Sequence, residues 1–349
     1  MILTAPLLAQ FPWLFHGFST RRGGVSSFDS PGDSPGDSVH SSGDGADLNL
    51  GHLPWDNRKN VLENRRRLLA RLAAKDMQLV LQRQIHSDLI RVLDDVGTGL
   101  QACPACPERR RRKRSRRACT TTGKPALPVL SAVEGSEVEG NACLTGAAVP
   151  APPAAGDGLM THRPGLLLGV LVADCLPILL VDAKQRVVAA LHCGWRGTVR
   201  RLAEKAIGRM RLLFGSRPED LWAAIGPGIG ACCYAVGPEV AEEFTSQFRY
   251  GEQLLITKSR PLSPLEIKRA VMVQPLRSNF GPREKKEIHL DLPRANGQQL
   301  RDAGVPTRQI YSASLCTSCH PELFFSHRRD GGRTGRMMGA VGIRAERRK

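Results

Sequence analysis

Aromatic residues are scarce in this chain, 5 % of 349 residues, and no apolar run is long enough to cross a bilayer. Leu166 to Val181 comes nearest, but it is shorter than the roughly 20 residues a spanning helix needs and it carries Asp174 and Pro177. It reads as two buried strands, and no membrane partner is expected. The N-terminal Met1-Ile-Leu-Thr-Ala-Pro segment lacks the basic region and cleavage pattern of a secretory signal, so a cytoplasmic location is the expectation. Without such a signal the ten cysteines read as thiols, not as a disulfide framework, and metal binding is their special use. The net charge of +17 suggests a polyanion partner, yet Arg109 to Arg117 alone holds eight Lys and Arg residues. That run has no interleaved aromatics to stack bases, which argues against a specific nucleic-acid site and leaves a nonspecific contact at most.

What is present is a core-forming chain, 41 % hydrophobic, with two interruptions. In the first, residues 28–46, Ser-Pro-Gly-Asp occurs twice in tandem among Ser, Gly and Asp, a composition that buries no apolar surface and predicts a flexible insertion. The second, residues 101–155, joins Cys103-Pro-Ala-Cys106, the basic run, a Glu/Val/Gly near-repeat and an Ala/Pro stretch. An unstructured segment of that length reads as a surface insertion. Elsewhere the periodicity predicts helices over 56–74, 198–214, 238–248 and 292–303. Strands are expected over 78–84, 89–93, 166–172, 178–181, 187–191, 221–225 and 310–313. The alternation points to a mixed α/β domain in which polar loops at strand ends build one site.

Three polar clusters interrupt apolar runs at such strand ends: Gln84-Ile-His86-Ser-Asp88, Val172-Ala-Asp-Cys175, and Ala190-Leu-His192-Cys-Gly-Trp-Arg-Gly197. His86, Cys175 and His192 supply two imidazoles and a thiolate, the donor set of a zinc ion that keeps its fourth position open. Taken singly, each residue reads as an ordinary structural His or a buried inert Cys. As a set, they predict a metal site, with copper as an alternative ion. No blue-copper His/Cys/Met pattern and no set of His-x-His pairs supports a copper oxidase.

The order of motifs is familiar. His16-Gly-Phe-Ser-Thr-Arg21, Leu48-Asn-Leu-Gly51, Val61-Leu-Glu-Asn-Arg65, Gln84-Ile-His86-Ser87, Gly156-Asp-Gly-Leu-Met-Thr161, Ala173-Asp-Cys175, His192-Cys-Gly-Trp-Arg-Gly197, Ile225-Gly-Pro-Gly-Ile-Gly230 and Phe325-Ser-His-Arg-Arg-Asp-Gly331 resemble the YfiH-like laccase-domain family of purine nucleoside phosphorylases. The resemblance implies a single sandwich-like α/β domain of that type over residues 11–343. It also implies zinc on His86, Cys175 and His192, and phosphorolysis of adenosine, inosine and methylthioadenosine with some adenosine deamination. Purine nucleosides and phosphate are then the expected partners. Some members of the family are described instead as peptidoglycan editing factors, and older names call them polyphenol oxidases.

For deamination, zinc with an open position would activate a water for attack on C6 of adenine, and Asp174 is the candidate proton carrier, its other reading being orientation of a ligating His. Phosphorolysis requires cationic groups for an anionic nucleophile, and Arg21, Arg196, Arg328 and Arg329 stand in Gly-containing polar motifs, unlike the helical arginines 65–67. Their alternative is a structural ion pair. Gly226 and Gly228, after a strand, offer backbone amides for an anion. A rival reading makes Cys175 a nucleophile, with His86 or His192 as base, in a hydrolase of peptidoglycan precursors. The non-enzymatic rival places function in the basic insertion as a polyanion binder. Cys103, Cys106, Cys119 and Cys143 have no standard zinc-ribbon spacing. Cys316-Thr-Ser-Cys319-His320 matches a haem-attachment string, which the missing export signal argues against.

Overall fold

The computed structural model describes residues 1–27, 46–93, 154–266 and 284–345. The insertions expected at 28–46 and 101–155 fall outside these residues, save Ala46, Ala154 and Ala155, as do Cys103, Cys106, Cys119 and Cys143.

In chain order the strands and helices are β1 (Ile2–Leu3), β2 (Leu14–Ser19), β3 (Arg22–Ser26), α1 (Arg58–Arg71), β4 (Gln78–Val80), β5 (Ile90–Val92), β6 (Gly158–Thr161), β7 (Leu166–Val172), β8 (Leu176–Asp182) and β9 (Val187–Cys193). They continue with α2 (Trp195–Val199), α3 (Leu202–Phe214), β10 (Leu221–Ile225), β11 (Ala235–Val236), α4 (Pro238–Gln247), β12 (Leu255–Pro261), β13 (Glu284–Leu290), α5 (Leu292–Asp302), β14 (Ile310–Ser312) and β15 (Met337–Ile343). A five-stranded sheet runs β1-β2-β15-β7-β4, a six-stranded sheet β14-β10-β8-β9-β6-β5, and a three-stranded sheet β11-β13-β12.

Side-chain alternation sets the layers. In β8, Leu179 and Val181 face the five-stranded sheet, packing with Phe18, Leu168, Val170 and Val341. Leu176, Ile178 and Leu180 point the other way, against Ala206, Ile207 and Met210 of α3 and Leu292, Ala295 and Leu300 of α5. Both faces of β8 and β9 are buried, as the continuous apolar runs require. On the far side of the five-stranded sheet, Leu68 and Leu72 pack with Phe15, Leu167 and Met338. The fold is thus a two-sheet sandwich flanked by helices, a mixed α/β architecture.

The helix expected over 198–214 is broken. Its first turn is α2, and Arg201 sits in the left-handed region at φ 60° before α3 begins. The Thr198 carbonyl accepts from the Gln299 side chain and from the Arg201 amide, and the Thr198 hydroxyl donates to Gly194 O, so the chain turns where α5 docks. The sandwich brings together three strand ends at one end of the six-stranded sheet. Leu176 pairs with Cys193 and Pro177 with His192 across β8 and β9, while Gly158 pairs with Leu191 across β6 and β9. Asp157, Cys175 and His192 are therefore neighbours by register alone.

Candidate metal centre

His86, Cys175 and His192 converge: one ligand atom from each lies within 4.8 Å of the others. The two imidazole rings stand 5.0 Å apart, edge to face. His86 comes from the loop between β4 and β5 and holds a left-handed φ of 55°, an unusual conformation for a residue other than glycine. The strain is supported by one carboxylate. Asp157, fully buried, accepts from the amides of Ile85 (3.3 Å), His86 (3.1 Å) and Ser87 (2.6 Å) and from the Ser87 hydroxyl (2.7 Å).

The same carboxylate lies 2.8 Å from His192 Nδ1, which leaves Nε2 as the free donor atom of that ring. Asp157 was not among the candidates read from the sequence, although it stands in the Gly156-Asp-Gly motif. Its partner His192 is 35 positions away and its partner loop about twice that far, so nothing local marked it.

Without an ion the electrostatics favour a thiolate beside an imidazolium, and the His192 ring must give up its Nε2 proton for a metal to take its place. Burial alone would push the Cys175 thiol up, but His192 and His86 pull it down to about 6. Burial disfavours the His192 imidazolium, whereas the Cys175 and Asp157 charges raise it to about 9. Asp157 is held at about 2, because the bonds from His192 and Ser87 outweigh its burial. Gly194 closes the site from one side: a Cβ there would lie 2.8 Å from Cys175 Sγ and 3.4 Å from His86 Cδ2. A thiolate and two imidazoles, one backed by a carboxylate, suit a borderline-soft divalent ion.

Around this centre the other candidates divide. Asp174, at φ 85°, accepts from the Thr317 hydroxyl (2.6 Å) and from the Arg328 amide (2.7 Å), so both its oxygens hold the segments beside the site. Arg328 lies over the Tyr234 ring at 5.3 Å and donates to Ala235 O, and the exposed Arg196 lies over Trp195 at 4.4 Å. The Tyr234 hydroxyl is pushed up first by burial and then by the Cys175 and Asp174 charges, against the pull of Arg328 and Arg196. Those four groups thus share one electrostatic neighbourhood with the thiolate.

Arg21 is instead spent on a two-pronged pair with Asp47 (2.7 Å each) and on Pro321 O. Arg329 is likewise spent on Asp330 and on the carbonyls of Thr317 and Phe324. The anion cradle expected at Gly226 and Gly228 is occupied by the fold itself. Their amides donate to Pro177 O and Leu315 O, Cβ atoms there would strike Phe18 and Leu176, and α4 begins only at Pro238. Arg336, not foreseen, is half-buried and faces the Cys175 and Asp174 charges. Burial holds it below the usual guanidinium range, and it makes no ion pair among the described residues.

A second gathering of possible ligands, Cys232, Cys233, Cys316 and Cys319, also lies within 4.8 Å of itself. No helix among the described residues is long and apolar enough to cross a membrane.

Comparison with known proteins extends this picture. The family model for multi-copper polyphenol oxidoreductase laccase matches residues 15–344. The purine nucleoside phosphorylase YlmD of Geobacillus stearothermophilus is 34 % identical over 312 residues, 88 % of this chain and 87 % of that protein. The adenosine deaminase RL5 of an unknown prokaryotic organism is 34 % identical over 180 residues, 52 % of this chain and 59 % of that protein. The crystal structure of the Bacillus licheniformis protein YfiH superposes with a TM-score of 0.63 at 28 % identity, covering 97 % of this chain and 94 % of that one.

Proposed function

The chain belongs to the multi-copper polyphenol oxidoreductase laccase family, and we propose that its His86, Cys175 and His192 hold zinc in a centre that phosphorolyses purine nucleosides, adenosine, inosine and methylthioadenosine among them. The observation that carries the reading is the convergence of these ligand atoms within 4.8 Å around a carboxylate-backed imidazole. It is joined to a relative named purine nucleoside phosphorylase along 87 % of its length. Adenosine deamination at the same centre is the second activity, favoured by the likeness to a protein named adenosine deaminase. The domain responsible spans 11–343.

When bound, zinc would supply Lewis-acid polarisation at the open position. The chain does the rest. A phosphate oxygen forms a bond to C1′ of the ribose, the C1′–N9 bond breaks with its electrons going to the purine, and N9 takes up the proton that the hydrogen phosphate gives up; free base and ribose 1-phosphate result, or 5-methylthioribose 1-phosphate from methylthioadenosine.

Arg196 and Arg328, both exposed, meet the phosphate dianion, and the half-buried Arg336 adds positive charge near Cys175 and Asp174. Tyr234, kept protonated, serves as a hydrogen-bond donor. Asp174, whose oxygens are engaged by Thr317 and Arg328, acts as a positioning residue for the Arg328 segment. Arg21, Arg329, Gly226 and Gly228 shape the site through their internal bonds.

The test is to incubate metal-analysed protein with each nucleoside, with and without phosphate, beside a Cys175→Ala variant, and to resolve the products by chromatography. Phosphate-dependent release of base, lost with the zinc in the variant, is expected. Bound zinc without base release or inosine formation would overturn the reading.

A further inference from the structure

We propose that Cys232, Cys233, Cys316 and Cys319 form a second zinc site, a closed four-thiolate site that staples the loop after β10 to the segment after β14. The four sulfurs lie within 4.8 Å of one another, and Cys319 Sγ is 3.4 Å from both Cys232 Sγ and Cys233 Sγ. Zinc bonds thiolate sulfur at about 2.3 Å in a tetrahedron, which spaces the sulfurs about 3.8 Å apart. Two of the separations are 3.4 Å and none exceeds 4.8 Å, so an ion fits with small side-chain adjustments.

The backbone has the form such a site requires. Cys316-Thr-Ser-Cys319 is a C-x-x-C turn in which the Gly230 amide donates to Cys316 Sγ at 3.3 Å. Amides aimed at a thiolate stabilise its negative charge. Opposite, the turn at 231–233 presents two adjacent cysteines, its amides at Cys233 and Tyr234 both bonded to Gly230 O. Lys258 Nζ lies on the carbonyls of Ala231 (3.0 Å) and Cys232 (3.1 Å), a fixed positive charge beside a centre that would carry two negative charges. Binding converts four thiols to thiolates and releases their protons to solvent.

The site is closed, with four protein ligands and no position for substrate, so its role is structural. The two segments it joins already exchange Gly228 N to Leu315 O and Thr317 N to Gly228 O, and Thr317 in turn holds Asp174. An ion here fixes that seam from its exposed end, where hydrogen bonds alone compete with water.

Metal analysis of the full chain, purified reduced, loaded with zinc and desalted, tests this independently of catalysis. The wild type should carry one zinc per chain more than the triad can hold, and His86→Ala/His192→Ala should keep that ion. Cadmium-113 NMR of the cadmium-loaded wild type, which perturbs no residue, should give one resonance in the all-thiolate range besides that of the mixed nitrogen and sulfur site. Cys316→Ser/Cys319→Ser should lose the all-thiolate resonance alone. A single ion per chain that vanishes in the histidine variant, or a second cadmium resonance outside the all-thiolate range, would overturn the proposal.

Discussion

Asp157 is the side chain on which the centre depends most, because one carboxylate fixes both the His192 ring and the strained His86 loop. Asp157→Asn keeps the size but replaces one acceptor oxygen with an NH2 group facing donors, leaving at least one amide or ring nitrogen unpaired. Loss of such a partner behind a ligating histidine costs about 10- to 100-fold in metal affinity. Chelator competition should show zinc affinity falling by that factor; unchanged affinity would show that the loop and ring hold themselves. Gly194→Ala tests the opposite wall, since its methyl group would press on Cys175 Sγ at 2.8 Å. Reduced zinc occupancy in an otherwise folded protein is expected, and full occupancy would mean that the sulfur moves aside freely. The three residues that converge, His86, Cys175 and His192, could be singled out in the sequence because each interrupts an apolar run. Asp157 could not, because its worth lies in partners that only the strand register brings near.

Strands with both faces largely covered announced themselves: β7 and β10 match their expected bounds, short runs of Leu, Val, Ala and Ile broken only by Gly169 and by Trp222. By contrast β2 (Leu14–Ser19) and β15 (Met337–Ile343), the centre of one sheet, were not foreseen from the residues. Gly17, Gly339 and Gly342 weaken their strand signal, yet the close packing of Ile2 against Gly17, Pro177 and Phe18 against Gly339, and Leu166 against Gly342 is what the sandwich needs. Helix α1 was foreseen from its apolar stripe, but its tether was not. Asn64, wholly buried, accepts from the Val25 amide at 2.8 Å and donates to Ser26 Oγ and Asn49 O, tying α1 to β3 and to residues 47–49. Asn64→Ala strands those groups and should destabilise the protein by about 1–3 kcal/mol. Urea unfolding measures it, and a loss below about 0.5 kcal/mol would mean that water replaces the amide without cost.

The excess of basic residues, +17 over the whole chain, means that the acids rarely lack a cation. Lys205 holds Asp88 below the usual carboxylate range, Lys184 and Arg217 do so for Asp220, and Arg260 does so for Glu287. Arg66 and Arg67 hold Glu63 at about 2. In each of these pairs the cation is the more exposed partner, and such pairs contribute little. Asp330 differs, because its partner Arg329 is partly buried as well. Burial opposes its charge, yet bonds from Arg329 (2.7 Å) and Thr334 (2.7 Å) prevail and depress it. A carboxyl group depressed in the folded state adds stability above its unfolded pKa of about 3.9, and that stability is lost as pH falls through the folded value. Because Cys175, near 6 without its ion, and the depressed His16 also titrate between pH 7 and 5, the Asp330 contribution is read in metal-stripped protein as the difference between wild type and Asp330→Asn, which should be level down to about pH 5 and shrink below about 4. Asp330→Asn should melt roughly 2 °C lower at neutral pH, and the gap should close toward pH 2, where the wild-type carboxylate is itself becoming protonated. A gap that stays constant across that range would assign Asp330 to hydrogen-bond geometry and remove its charge from the account of acid stability.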